Sequence, residues 1–479
     1  MTRLFGTDGV RGVANADLTA ELALALGRAA GQVLAGRWGV RPRVVVGRDT
    51  RASGEMLEAA LAAGLMSAGA TVVPLGVMTT PGVSYLTTAL GATGGAVISA
   101  SHNPPEYNGI KFFDPQGRKL PDELEEAVEA AVLRSGQGGP SGAPGSPAAG
   151  GADAAGATGA EAGAAAFVPP VGGAVGRREE APDAGRRYLE HLRRAAGPGL
   201  EGLHVVLDCA HGAATPWAPA VWRAVGARVT VIHAAPDGTN INVGCGSTAP
   251  QALAEAVRRE GADLGLAFDG DADRVIAVDE RGRVVDGDAI LAVLALDMAR
   301  RGELPDRTVV ATVMSNLGLE RALKAAGLRL VRTRVGDRHV FEAMEQGGYA
   351  LGGEQSGHII LRRHAVTGDG ILTGLVLASV MVRTGQPLSQ LASVVQPVPQ
   401  VLLNVPVKRR EGWEDEPAIQ AAIAAARQRL GEAGRVLVRA SGTEPLIRVM
   451  VEGDDEALVR ELAESVAGAI RRALGSGTD

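Results

Sequence analysis

A chain of 479 residues exceeds what one hydrophobic core organises, so about three or four domains are expected. With 46% hydrophobic and 21% charged residues it reads as globular, and a formal charge of -6 without any run of like charge argues against a nucleic-acid stripe or a polybasic membrane patch. The start has no hydrophobic leader and no stretch of about 18 unbroken apolar residues occurs, so a cytoplasmic location is expected. Cys209 and Cys245 are too few for a disulfide scaffold or a thiolate metal site and read as packing residues.

In chain order, residues 6–12 (Gly-Thr-Asp-Gly-Val-Arg-Gly) form a glycine-rich turn carrying Arg11. Thr19 is placed to cap a helix with Leu22, Leu26, Ala29, Val33 and Leu34 on one face, and Ser53 to cap another with Leu57, Leu61 and Leu65. Between them Val44-Val45-Val46 reads as a buried strand. The same grammar returns at Val205-Val206-Leu207 and Val309-Val310-Ala311, which predicts βαβ units with buried parallel strands in three successive α/β domains. Near the C-terminus, strands around residues 401–405, 436–439 and 447–451 alternate with helical patterns at 416–430 and 455–474, a smaller α+β domain. Residues 135–182 contain 33 Gly, Ala and Pro in 48 positions, too little to bury a core, and read as a flexible insertion. The expected boundaries are therefore 1–134, 135–182, 183–294, 295–396 and 397–479.

Four loops carry chemistry. Ser101 follows the strand-like Ala96-Val97-Ile98 in Ser-His-Asn-Pro-Pro, where α/β sheets place reactive groups; His102, its neighbour in an extended chain, is poorly placed as its base. Asp269, Asp271 and Asp273 alternate in Asp-Gly-Asp-Ala-Asp-Arg, and three carboxylates so close call for a hard divalent cation. Glu280 falls where a calcium loop has its last ligand, yet Arg274 stands at the position that such a loop gives to glycine, and strands flank it. Residues 352–358 (Gly-Gly-Glu-Gln-Ser-Gly-His) offer four polar side chains for sugar hydroxyls, including His358. Arg439, Ser441, Gly442, Thr443 and Arg448 form a kit for a phosphate dianion, with a surface ion-pair cluster as the bland alternative. Residues 335–339 (Val-Gly-Asp-Arg-His) either touch the ligand or cap a helix.

Together these motifs resemble the α-D-phosphohexomutase superfamily over essentially the whole chain outside 135–182. The resemblance implies an α/β fold: three consecutive mixed-sheet α/β domains of similar topology plus a smaller C-terminal α+β domain around one central cleft. It further implies that Ser101 is a phosphoserine and shares a Mg2+ with Asp269, Asp271 and Asp273. Arg11, Lys111 and His358 would surround the proton transfers, with Lys111 or His358 as acid/base. Glu354 and Ser356 would bind the sugar, His102 and Arg274 would contact the substrate, and Arg439, Ser441, Gly442, Thr443 and Arg448 would hold its standing phosphate. Phosphate would move between carbons 6 and 1 through a sugar 1,6-bisphosphate, intermediate or activator. The Gln355-containing loop and the wording of residues 6–12 favour a glucosamine phosphate over glucose or mannose phosphates. No nucleic-acid or membrane partner is expected, and a homodimer is compatible with the sequence. A magnesium-dependent phosphatase and a non-catalytic sugar-phosphate sensor are the rival classes. Ala272, where many relatives have glycine, and the insertion depart from the pattern.

Overall fold

The computed structural model describes residues 4–6, 8–136, 168–197, 199–441 and 445–475. The first sheet comprises β1 (Val10–Val13), β2 (Arg43–Arg48), β3 (Thr71–Val77), β4 (Gly94–Ile98), β5 (Tyr107–Phe113) and β6 (Arg177–Arg178), in the order β1-β5-β4-β2-β3-β6. The second holds β7 (His204–Asp208), β8 (Arg228–Ile232), β9 (Leu264–Phe268), β10 (Val275–Asp279) and β11 (Val284–Val285), in the order β11-β10-β9-β7-β8. The third holds β12 (Thr308–Thr312), β13 (Arg329–Thr333), β14 (Leu351–Gly353) and β15 (Ile359–Leu361), in the order β13-β12-β14-β15. A separate antiparallel sheet orders β16 (Gln400–Pro406), β18 (Leu446–Gly453) and β17 (Gly434–Ala440).

One scheme recurs in the three larger sheets. A central strand pairs in parallel with two others: β2 with β3 and β4, β7 with β8 and β9, β12 with β13 and β14. The chain then doubles back antiparallel, β4 to β5, β9 to β10 and β14 to β15. The expected parallel strands are thus joined by an antiparallel neighbour each time, making the sheets mixed. Each hairpin turn carries one chemical motif, and the β17–β18 turn carries the fourth. Repetition of one topology delivers three loops of different chemistry to equivalent places, and the antiparallel C-terminal sheet adds the fourth from a different one.

Val45, Leu207 and Val309 lie in one continuous apolar cluster, so the three α/β units share a core. Helices Pro417–Leu430 and Glu456–Leu474 close a second core on the C-terminal sheet. Arg321 pairs with Asp454 at 2.5 Å, tying that unit to the third sheet's unit. Thr19 caps helix Ala20–Trp38 as expected, accepting from the Leu22 amide at 3.2 Å. Ser53 precedes helix Gly54–Ser67 but makes no capping bond; its hydroxyl accepts from Asn108 Nδ2 at 2.9 Å instead.

The stretch read as a flexible insertion differs at its ends. Helix Asp122–Gly136 runs into it, and β6 joins the edge of β3 in parallel, with Glu179 paired to Arg43 at 2.7 Å. Two residues are too short for a periodic signal, so this strand is invisible in the composition. Residues 137–167 lie outside the described residues.

Candidate active site

Ser101 sits just past β4 with φ 53, a left-handed conformation that costs a serine strain. The loop is held by buried charge. Arg51, 1% exposed, pairs with the fully buried Asp49 at 2.9 Å. Its guanidinium donates to the carbonyls of Ser101 (3.0 Å), Asn103 (2.8 Å) and Pro104. Asp49 also accepts from Ser99 Oγ at 2.6 Å, and that oxygen accepts from the Ser101 amide at 2.9 Å. A fixed ion pair thus sets the backbone that aims the Ser101 hydroxyl.

That hydroxyl donates to Asp269 Oδ2 at 2.5 Å, so the two loops meet. Extended-chain alternation does not hold at the strained serine, and His102 Nδ1 comes within 3.5 Å of Oγ, closer than expected. Burial, then Arg274 and Arg11, drop the His102 pKa to about 4, leaving the ring neutral.

Asp269, Asp271 and Asp273 present oxygens all within 4.8 Å of one another. Burial, then Asp273 and Asp271, push Asp269 well above the usual carboxylate range, the cost of crowding three acids without a cation. Asp271 takes the Thr80 hydroxyl at 2.5 Å, but its Oδ1, and that of Asp273, are buried without a hydrogen bond. Bare oxygens converging from an all-carboxylate donor set fit a hard divalent cation. Ala272, between them, has φ 59, a strained setting for a residue with a Cβ. A Cβ on Gly270 would stand 2.6 Å from the Ser101 carbonyl, so only glycine lets the loops touch here. In the second cluster, Asp208, His233 and Cys245, the only carboxylate already has partners: Asp208 accepts from the amides of Ala210 (2.9 Å) and Gly246 (3.0 Å) and faces His233 Nδ1 at 3.0 Å.

A cavity of about 740 Å³ joins all four loops, lined by Ser101, His102, Arg274, Glu354, His358, Arg439 and Arg448 together with Asp8, Arg11 and Lys111. Val335, Gly336, Asp337 and His339 line it too, whereas Arg338 turns to Asp122 and to Glu342 at 2.9 Å. Glu354 is positioned by the Gly336 amide (3.2 Å) and the Ser356 hydroxyl (3.3 Å). Gln355, expected to engage sugar, instead donates to Asp286 at 3.2 Å. The buried Ser441 borders the grip, while Gly442 and Thr443 lie outside the described residues.

The two acid/base candidates differ. His358 Nε2 accepts the Gly368 amide at 2.9 Å and Nδ1 faces Asp273 at 3.5 Å, so both nitrogens are engaged. Lys111 is buried, which works most strongly against its charge, but Asp8 at 3.9 Å, together with Asp271 and Asp273, holds the pKa above the ordinary lysine value. Asp8 also faces Arg11 at 3.3 Å. Sequence reasoning missed Arg51, Asp49 and Thr80, which no local motif marks.

Models of the phosphoglucomutase/phosphomannomutase family match along the chain: alpha/beta/alpha domain I at residues 2–138, domain II at 186–282, domain III at 286–398 and the C-terminal domain at 402–469. The chain belongs to this family, and it is an isomerase of the phosphohexomutase type. The phosphoglucosamine mutase of Symbiobacterium thermophilum is 55% identical over 99% of this chain and 100% of its own length. That of Moorella thermoacetica is 54% identical over the same shares. Among solved structures, a phosphoglucomutase/phosphomannomutase family protein of Burkholderia thailandensis superposes with a TM-score of 0.77 at 22% identity, covering 99% of both chains. Aspergillus fumigatus N-acetylphosphoglucosamine mutase, solved with GlcNAc-6P and magnesium, gives 0.66 at 19% identity, covering 99% of this chain and 96% of that one. No single helix among the described residues is long and apolar enough to cross a membrane.

Proposed function

We propose that this chain interconverts glucosamine 6-phosphate and glucosamine 1-phosphate, with Ser101 as the phosphoryl carrier. The observation that carries the reading is one cavity lined both by a serine that hydrogen-bonds the carboxylate triad and by two arginines of the C-terminal sheet, Arg439 and Arg448. A mutase needs both ends, a donor for the hydroxyl and a clamp for the phosphate already present; a phosphatase gains little from the second.

Asp269, Asp271 and Asp273, with a phosphoserine oxygen, would hold magnesium, whose charge would offset that of the phosphoryl group in flight. Arg11 would spread the same charge. The bond between Ser101 Oγ and phosphorus breaks as one forms to the sugar oxygen; Lys111, held as an ammonium, is in the form that gives a proton to the serine oxygen, and the proton that the sugar hydroxyl loses restores the ammonium. The resulting 1,6-bisphosphate turns around, places its other phosphate before Ser101, and hands that one back. During each half, Arg439, Ser441, Gly442, Thr443 and Arg448 would grip the idle phosphate, and His102, Arg274, Glu354 and Ser356 would orient the ring. The Glu354 carboxylate suits a sugar ammonium, and the relatives of 55% and 54% identity are named phosphoglucosamine mutases. A sugar-phosphate substrate and two buried free cysteines suit the cytoplasm.

The test is turnover of glucosamine, glucose and mannose 6-phosphates by wild type and Ser101→Ala. Wild type should favour glucosamine and carry a phosphatase-sensitive mass about 80 Da above the bare chain, the increment of one phosphoryl group. Ser101→Ala should show neither, and substantial turnover by it returns the chemistry to a direct or water-mediated transfer.

A further inference from the structure

We infer that Asn242, from the unit built on the second sheet, is a positioning residue for Ser101, resting on the reading of Ser101 as phosphoryl carrier. Its side-chain nitrogen donates to the Ser101 carbonyl at 2.8 Å and to the Asn103 carbonyl at 3.0 Å. Arg51 donates to the same two oxygens, at 3.0 and 2.8 Å. The nucleophile loop is therefore clamped twice, once by its own unit and once across to the unit that supplies the carboxylate triad. The amide orientation follows from chemistry: reversed, Asn242 would set its oxygen against two carbonyl oxygens, with nothing to donate.

The local backbone shows why asparagine stands there. Asn242 has φ 62, a left-handed setting that asparagine tolerates better than any other non-glycine residue except aspartate, and its own amide donates to the Ala210 carbonyl at 3.0 Å. The side chain is thus presented from a fixed turn. A Cβ on Gly270 would stand 3.0 Å from Asn242 Nδ2 and 2.6 Å from the Ser101 carbonyl, so nucleophile loop, triad loop and Asn242 form one packed contact. Moving the second unit relative to the first moves the serine relative to its ion. A transfer needing in-line geometry is sensitive to that shift, whereas the sugar and its idle phosphate are held elsewhere.

The left-handed backbone also chooses the variants. Asn242→Gly removes the donor without strain; Asn242→Asp keeps shape and backbone tolerance but turns the donor into a carboxylate facing two carbonyl oxygens. With magnesium-loaded full-length protein and glucosamine 6-phosphate, kcat should fall about 10- to 100-fold in Asn242→Asp and less in Asn242→Gly, while KM stays within about twofold. Both variants should melt well above the assay temperature, with Asn242→Asp at or below Asn242→Gly because its carboxylate faces two carbonyl oxygens. A purely structural role for the turn predicts loss without the kcat-only signature, so any other pattern, including two variants with wild-type kcat, overturns the inference. Ser101→Ala run beside them separates the claims: if it is inactive and the Asn242 variants are normal, only Asn242 is misassigned, and if it turns over, the reading of the site fails.

Discussion

Arg439 and Arg448 stand directly opposite each other across β17 and β18. Like charges in that register oppose pairing of the strands, and burial together with Arg448 lowers the Arg439 pKa. Arg439 Nε is buried without a hydrogen-bond partner. On the proposed reading, this arrangement would take a dianion between the two guanidinium groups, where each cation gains and the repulsion is offset.

Arg439→Ala should therefore cost binding and spare the fold. KM for glucosamine 6-phosphate should rise about tenfold or more, since charge-assisted hydrogen bonds contribute about 1.5–3 kcal/mol each. Thermal melting without ligand should stay level or rise, because a like-charge pair is gone. An unchanged KM would remove this loop from phosphate binding.

Arg51→Ala should act in the opposite way. It leaves Asp49 buried and uncompensated, and strips a donor from three loop carbonyls. Breaking a buried pair from one side costs about 3–5 kcal/mol, so denaturant unfolding should shift clearly toward lower concentration. A shift under about 1 kcal/mol would mean that water or rearrangement takes over the role.

Asp271→Asn should uncouple the ion from stability. Without a divalent cation the variant should match or exceed wild type, since it removes one of three crowded carboxylates. Magnesium should raise the wild-type melting temperature and leave that of the variant nearly unmoved, because stabilisation by a ligand scales with its affinity for the folded form. Equal magnesium shifts in both proteins would place the ion elsewhere.

The residues readable in the sequence were those whose chemistry is local. Apolar β-branched runs announced β2, β7 and β12, and alternating carboxylates announced the triad, because spacing alone crowds them. Arg51 was not readable: it lies fifty positions from Ser101, and only the parallel pairing of β2 with β4 brings the loops after those strands together. Thr80 meets Asp271 across 191 positions for the same kind of reason. Local rules also failed where a distant partner competed, as when Asn108 took the hydroxyl of Ser53 and Asp286 took the amide of Gln355. With Gln355 turned away, the preference for glucosamine rests on Glu354 and on the relatives.

The charge of Lys111 provides a pH test. Burial alone would lower its pKa; the Asp8 carboxylate raises it, Arg11 lowers it, and Asp271 and Asp273 raise it. A folded-state pKa above the unfolded one stabilises the fold at lower pH, and that contribution fades as pH climbs through the folded value. Asp8→Asn removes the largest favourable partner while leaving Arg11 in place, so Lys111 should lose its proton at lower pH. If the ammonium donates to the departing serine oxygen, the alkaline limb of kcat should move down by about one unit or more, each unit representing about 1.36 kcal/mol of lost interaction. The acidic limb should hold, because Asp8, held at a pKa of about 2 chiefly by Lys111, titrates far below it. An alkaline limb that stays put in Asp8→Asn, with kcat otherwise lowered, would show that a group other than Lys111 gives the proton.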